Sequence, residues 1–499
     1  MIKIIFISLF FLKEIKSLLF WLYLWQLKNY HIGRFLAHFD TYKGKRLLIN
    51  YFLRVLLLIL SLYNFYFFYV IAFLYLIEII YSKIIYPQKT SKTLFLSIIL
   101  ILILPVFLFF IYNFDLQSLF SLIVLFDILT PIMVSFVVLF LQPITVLLRN
   151  RIINKAIKKR KSLDNLLTIG ITGSYGKSTT KEYLKIILSN SFNVITTPQN
   201  KNSEMGISKC ILDDVNENHE IFICEMGAYN RGGIKLLSKI AQPKIGVITG
   251  INNQHLATFG SQKNIVKTKF ELIEFLPLEG LAVLNWDNQY IKDNFKKYIS
   301  SIKCGFDVWA KEIKDDSFKF CSLNNEEGEI IKIKNIKPYN ISNLLICISL
   351  AKKLGMTMEE IKERVLLIND PLEISSYKNF DVINATYSSN FNGIISHLDY
   401  LKRWTGNKVI IMPCLIELGA EGKNTHYEIG RKIGEVCDLA IITTNDYKKE
   451  LIAGAKYSGM ENIVFTNKTD KIDLLTKNNS VILLESRIPK EMINKLKDE

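Results

Sequence analysis

A lysine and a hydroxyl residue at the start of a helix, with glycines just before them, suit the holding of phosphate. The segment Thr172-Gly173-Ser174-Tyr175-Gly176-Lys177-Ser178-Thr179-Thr180 has this combination. The apolar run from Leu166 to Ile171 before it reads as a buried strand, and the stretch 177–189 after it reads as a helix. Glycine lets backbone N–H groups approach phosphate oxygens, and a helix N-terminus adds positive potential. In that arrangement Lys177 would hold the terminal phosphates and Ser178 would place a hydroxyl on Mg²⁺. Gly173, Ser174, Tyr175, Gly176 and Thr179 would complete the cradle. Ile171 stands where the strict spacing has its first glycine. Read alone, the segment fits either a phosphate cradle or a glycine turn before a helix.

The variant TGSYGKSTT resembles the phosphate loop of the Mur ligase family, the ATP-dependent amide-forming enzymes of cell-wall peptide assembly. The likeness continues in chain order. Thr197 to Gly206 (TPQNKNSEMG) resembles the family's asparagine-rich loop, and Glu225-Met226-Gly227-Ala228 follows a strand as its acidic metal ligand does. Ile248 to Leu256, with His255, resembles its histidine segment, and Thr268-Lys269-Phe270-Glu271-Leu272 the segment bearing its modified lysine. Asn285-Trp286-Asp287-Asn288 and Tyr339-Asn340-Ile341-Ser342-Asn343 resemble its nucleotide-side asparagines. Ile416-Glu417-Leu418-Gly419, with His426 downstream, is most similar to the MurF-type branch. The resemblance covers about 168–499.

The resemblance implies an ATP-dependent carboxylate–amine ligase working through an acyl phosphate. Making an amide from a carboxylate requires activating a poor electrophile, and catalysis is then mostly positioning and charge neutralisation. Lys177, Glu225, His255 and Lys269 would be the catalytic set, with Asn285 and Asn340 on the nucleotide. Hard oxygen ligands suit a first Mg²⁺, hence Ser178 and Glu225. His255 and Lys269 would belong to a second, the lysine carrying a carbamate that turns a cation into an anion. Read singly, His255 also fits a satisfied structural histidine, and Lys269 a solvated helix lysine. The implied partners are an envelope precursor, small or lipid-linked, and an amino acid or dipeptide.

The sequence departs from the family pattern in several places. MurF-type enzymes begin with a domain gripping the UDP end of a soluble precursor; here apolar segments take its place, which points to a lipid-linked acceptor. Ala385 stands where the C-terminal domain should carry an aspartate, Phe391 replaces a proline, and Asp370-Pro371-Leu372-Glu373 lacks the arginine. Tyr339 replaces a histidine and Ser203 an asparagine. These losses motivate a different reading, a degenerate membrane-anchored nucleotide-binding scaffold or sensor. A ligase building another poly-amino-acid polymer is a third.

The elements that must position this chemistry fall into two compositions. The chain has 499 residues, half of them hydrophobic, and the apolar excess lies before residue 150. A membrane span needs about 20 apolar residues. Residues 93–113 satisfy this without a charge, and 118–141 with only Asp127. Residues 47–82, broken by Arg54, Asn64 and Glu78, fit one tilted helix or a hairpin of two. Residues 2–26 are split by Lys13, Glu14 and Lys16 and read as lying in the interface, with Trp21 and Trp25 as its aromatic belt. Basic stretches at 28–46, 83–92 and 149–161 would face the cytoplasm, which four spans between 47 and 148 satisfy. The ligase part would then be cytoplasmic, on a multi-pass cell-membrane protein.

From about 166 strands and helices alternate, which argues for parallel sheets covered on both faces. The expected fold class is an α-helical membrane region followed by α/β. The α/β part is a phosphate-loop parallel-sheet ATPase domain plus a smaller Rossmann-like C-terminal domain. The expected boundaries are 1–150, 166–367 and 375–499. The net charge of +16 is spread along the soluble part without a nucleic-acid-binding signature, so no nucleic-acid partner is expected. The seven cysteines form no CxxC pair and read as reduced, buried thiols.

Overall fold

The computed structural model describes residues 2–199, 201–253, 256–296, 299–334, 336–369, 372–377, 380–386, 390–416, 418–469 and 480–498. Two compact units divide the chain, Met1–Leu148 and Arg149–Glu499.

The first unit is helical: α1 (Ile2–Leu27), α2 (Ile32–Ala37), α3 (Tyr42–Tyr63), α4 (Phe67–Tyr81), α5 (Ser91–Ile111) and α6 (Leu116–Phe140). Among the described residues α3, α5 and α6 are long and apolar enough to cross a membrane, and α4 is shorter. The hairpin reading of 47–82 is the one formed. Asn64 ends α3, and its side chain accepts a hydrogen bond from the Tyr66 N–H. Four helices therefore fill the stretch expected to hold four spans, but only three have spanning length.

Two expectations about the first segment need correction. Residues 2–27 form one unbroken helix, not two pieces, and Lys13 and Glu14 are buried in the bundle. Lys13 pairs with Glu14 (3.1 Å) and with Asp127 of α6. Arg54 of α3 pairs with the same Asp127 oxygen (2.7 Å) and with Glu78 of α4 (2.5 Å), and Thr130 donates to Glu14. Apart from Lys16, the charges that interrupt the apolar runs meet one another, so each is paired where burial would otherwise be costly. Trp21 and Trp25 are buried too, donating to Tyr51 Oη (2.9 Å) and Ser135 Oγ (3.0 Å). Lys16 reaches the backbone carbonyl of Ile79 at the end of α4 (2.6 Å).

Helix α7 (Gln142–Lys161) leads to the second unit, whose central sheet begins with β1 (Leu167–Thr172). Then come α8 (Lys177–Leu188), β2 (Val194–Thr196), α9 (Glu204–Asp213), β3 (Ile221–Glu225), α10 (Gly233–Ala241), β4 (Ile245–Ile248), α11 (Leu256–Phe259), α12 (Gln262–Phe275) and β5 (Leu281–Asn285). The strand order is β2-β3-β1-β4-β5, all parallel. The chain leaves β1 to one side and returns on the other, which makes the carboxyl end of β1 a topological switch point, where such sheets bind ligands. The runs LTIGIT, IFICE and LAVLN are buried on both faces, as helix-covered parallel strands must be.

Beyond β5 the sheet continues through α13 (Gln289–Asn294), β6 (Ser300–Cys304), β7 (Val308–Lys311), β8 (Ser317–Ser322) and β9 (Asn325–Lys332). The last three pair antiparallel. This extension departs from the all-parallel expectation: Asn325–Lys332 (NEEGEIIK) is largely exposed and carries no strand signal. Helices α14 (Ile341–Lys353) and α15 (Met358–Val365) complete the domain. The smaller sheet has order β10-β11-β15-β12-β13-β14, with β10 (Glu373–Ser376), β11 (Phe380–Ala385), β12 (Asn407–Met412), β13 (Leu439–Ile442), β14 (Ile463–Phe465) and β15 (Ser480–Glu485). Its strands are parallel except β10. Helices α16 (Phe391–Leu401), α17 (Gly422–Val436), α18 (Lys448–Tyr457) and α19 (Lys490–Asp498) cover it. All seven cysteines are buried and unpaired.

Candidate nucleotide and ligase site

The loop after β1 is shaped by what surrounds it. Gly176 caps α8 with φ +77°, in the left-handed region, and a Cβ there would come within 2.7 Å of Asn343 Oδ1. A Cβ on Gly173 would collide with Thr249 Oγ1, and one on Gly250 with the Tyr175 ring. Ser174 N donates to Gly250 O (2.7 Å), the Ser174 hydroxyl accepts from Asn252 N (3.2 Å), and Thr249 Oγ1 donates to Tyr175 O. Tyr175 Oη accepts from Asn288 (3.2 Å). Asn285 is buried and donates to Thr249 O (2.9 Å). Asn340, also buried, accepts from Asn343 (3.0 Å), the residue beside Gly176. The segments at 173–180, 249–252, 285–288 and 340–343 thus converge on one loop.

Lysines gather around a single buried carboxylate. Glu225, at the carboxyl end of β3, accepts from Ser178 Oγ (2.9 Å) and Asn202 Nδ2 (2.9 Å). Lys181 lies 3.5 Å from it and donates to Thr197 O (3.0 Å). Burial pushes the Glu225 carboxyl up, but Lys177, Asn202, Lys181 and Ser178 outweigh this and hold it below its ordinary value. Lys177 donates to Gly173 O (2.8 Å), and its own value is lowered by burial against the opposing pull of Glu225.

Lys269 sits on α12, which Ser261 caps by accepting from Asn264 N (3.2 Å). It is 4% exposed, not the solvated lysine that its helix alone would allow. Burial, then the charge of Lys177, lowers its pKa to about 7, against a weaker opposing pull from Glu271. Glu271 is itself engaged at the start of α10 by Gly232 N (2.7 Å) and Lys235 N (2.9 Å). An amine near 7 is about half neutral, and to that extent nucleophilic, at physiological pH.

His255 lies outside the described residues, as do Tyr387 to Ser389 and Glu417. Thr179 lies in the first turn of α8. Ala385 is fully buried at the end of β11, its register partner being Glu485 of β15. His426 is a buried strut: its Nε2 accepts from Leu415 N (3.0 Å), Nδ1 meets Gly422 O (2.6 Å), and the ring stacks on Tyr447. Burial lowers its pKa. The two domains meet near the loop, where Asn252 Nδ2 donates to Asn392 Oδ1 (2.7 Å).

Lys181 was not singled out from the sequence. Its signal was its spacing: four residues after Lys177 on a helix, it falls on the same face.

The residues present fit a nucleotide and a hard cation. The glycine cradle leaves no room for side chains, and Glu225 with Ser178 forms an oxygen pair of the kind Mg²⁺ prefers. Fold and site together define a phosphate-loop α/β protein with a smaller Rossmann-like second domain.

The family described as Mur ligase middle domain matches residues 171–351. The UDP-N-acetylmuramoyl-tripeptide–D-alanyl-D-alanine ligase of Buchnera aphidicola subsp. Baizongia pistaciae is 30% identical over 338 residues, covering 64% of this chain and 73% of that protein. The ligase of the same description from Synechocystis is 28% identical over 308 residues, covering 60% and 66%. MurF from Thermotoga maritima, solved in complex with ADP, matches with a TM-score of 0.60 and 25% identity, covering 69% of this chain and 82% of that one. The chain belongs to the Mur ligase family, a family of ATP-dependent carboxylate–amine ligases. It spans about two thirds of the length of these curated relatives.

Proposed function

We propose that this chain is a membrane-anchored ligase that uses ATP to join an amino acid or dipeptide to a carboxylate of a peptidoglycan-type precursor. The amine donor is of the D-alanyl-D-alanine kind, as in the names of the relatives. The carrying observation is the glycine cradle beside three buried or half-buried lysines: Lys177 and Lys181 act on one carboxylate, Glu225, and Lys269 is buried within the influence of Lys177.

ATP supplies the phosphoryl group that activates the acceptor carboxylate, and Mg²⁺ neutralises its charge. Ser178 and Glu225 would hold one Mg²⁺, His255 and Lys269 a second. Gly173, Ser174, Tyr175, Gly176, Lys177 and Thr179 cradle the phosphates. Asn285 orients the cradle through Thr249, and Asn340 does so through Asn343. The half-neutral Lys269 amine can add to CO₂, releasing a proton and leaving a carbamate anion. That reaction needs the low pKa that burial provides.

The domain boundaries that serve this function are 1–150 for the membrane anchor, 166–367 for the ATP domain and 375–499 for the closing domain. We place the ligase domains on the cytoplasmic face. We assign a lipid-linked acceptor, because the apolar helices precede the ATP domain in the chain and only residues 162–166 separate α7 from β1.

The test uses the full chain in detergent with ATP, D-alanyl-D-alanine and either a UDP-linked or a lipid-linked muramoyl peptide, reading acceptor-dependent phosphate release. Faster turnover on the lipid-linked acceptor is expected, and equal turnover on the soluble one removes the lipid-linked assignment. Nucleotide binding without acceptor-dependent release from any precursor replaces the ligase by the scaffold reading. Lys269→Ala is expected to abolish turnover, and depletion of bicarbonate to slow the wild type. Wild-type rates in Lys269→Ala exclude the carbamate.

A further inference from the structure

Helix α7 has two faces with different neighbours. Ile153 and Ala156 are buried in the hydrophobic core of the second unit, beside Leu163, Leu166 and Phe222. Arg160 lies on the same face, 5% exposed, and all its hydrogen bonds go to that unit. They reach Thr168 Oγ1 (2.9 Å) and the carbonyls of Ala241 (3.1 Å), Leu163 (2.9 Å) and Leu166 (2.6 Å). Lys159 donates to Leu212 O (2.8 Å). Two of the cations in the 149–161 cluster are therefore structural struts that fix which face of the helix packs on the second unit.

The opposite face follows from the 3.6-residue period. Ile144, Leu147 and Leu148 fall on it, 56%, 65% and 53% exposed. On the same face, one turn further on, come the exposed cations Arg151, Lys155 and Lys158, with Lys161 at its edge. One exposed stripe thus changes from apolar to basic between Leu148 and Arg151. It follows directly on α6, which is long and apolar enough to cross a membrane. The basic part is about 15 Å long at the helical rise.

We propose that this stripe is a binding surface for anionic phospholipid headgroups, with Leu147 and Leu148 at the hydrocarbon boundary and Arg151, Lys155 and Lys158 on headgroup phosphates. The inference rests on the reading of the first unit as a membrane anchor. Aliphatic side chains partition to hydrocarbon and juxtamembrane cations to anionic headgroups, and the order along α7 matches that layering. Each cation near such a surface is worth roughly a fivefold change in occupancy.

The full chain is reconstituted into vesicles of phosphatidylcholine alone or with phosphatidylglycerol. Flotation is recorded, and lysine accessibility is mapped with an amine-reactive reagent and mass spectrometry. Expected is at least about fivefold protection of Lys155 and Lys158 by phosphatidylglycerol, reversed by high salt, with exposed Lys239 of α10 unchanged. Arg151→Gln should weaken the protection of Lys155. Protein that floats but labels equally in both vesicles overturns the headgroup surface alone. Protein that does not float with neutral vesicles overturns the anchor, and the headgroup surface with it.

Discussion

The chain holds two buried charge clusters of opposite character. In the helical unit, Lys13 and Arg54 face Glu14 and Asp127, with half-exposed Glu78 at the edge. The buried charges balance, and every cation has a carboxylate. In the second unit, Lys177 and Lys181 act on one buried carboxylate, Glu225, and Lys269 is buried within the influence of Lys177; the other carboxylates, Glu182 and Glu271, are not buried, so buried positive charge is in excess. A buried excess is costly unless a ligand of opposite sign compensates it. Balance therefore marks a cluster that holds helices together, and imbalance one that awaits a polyanion.

Substitutions should separate the two. Asp127→Asn strands two cations in the bundle and should cost about 3–5 kcal/mol of stability, read by thermal unfolding in detergent. The paired change Lys13→Met with Asp127→Leu should recover a large part of that loss. If the paired change is as damaging as the single one, the cluster does more than hold helices.

The ligase cluster should behave the other way. Lys177→Ala should lower turnover about 10²–10³-fold while leaving the melting temperature near wild type, because it relieves like-charge repulsion as it removes phosphate stabilisation. A large drop in stability with turnover per folded molecule preserved would make this cluster structural as well.

The smallest effect concerns a buried base outside both clusters. The neutral His426 imidazole accepts from Leu415 N, and its folded pKa lies below its unfolded one. At low pH the unfolded chain binds a proton that the folded chain does not, so stability falls as pH drops through the ordinary histidine range. Denaturation series from pH 8 to 5 should show this slope, and His426→Gln should flatten it. An unchanged slope assigns the acid sensitivity elsewhere.

Local pattern carried much of this. The strands around the phosphate loop are short β-branched runs buried on both faces, and such runs declare themselves without partners. The motif at 172–180 and the order of segments after it carried the nucleotide site. The antiparallel edge did not show: β8 alternates only briefly, with Phe318 and Phe320 buried on either side of Lys319, and largely exposed β9 has no strand signal, so it forms because β8 offers an edge to pair with. Lys13, Glu14, Arg54 and Glu78 read as interruptions because, the adjacent Lys13–Glu14 pair aside, their partners are far away in sequence, on other helices.

What the sequence determined by itself was therefore chemistry and period: a phosphate cradle, buried strands, apolar helices and the family they belong to. Tertiary structure alone decided the electrostatics. It neutralised Lys13 and Arg54 against Asp127, buried Lys269 beside Lys177 until its amine fell to about 7, and turned Arg160 from one cation of a basic stretch into a strut. The physical reason is that a charge's energy depends on what is packed within a few ångströms of it. Chain order does not specify those neighbours until the helices and sheets have closed.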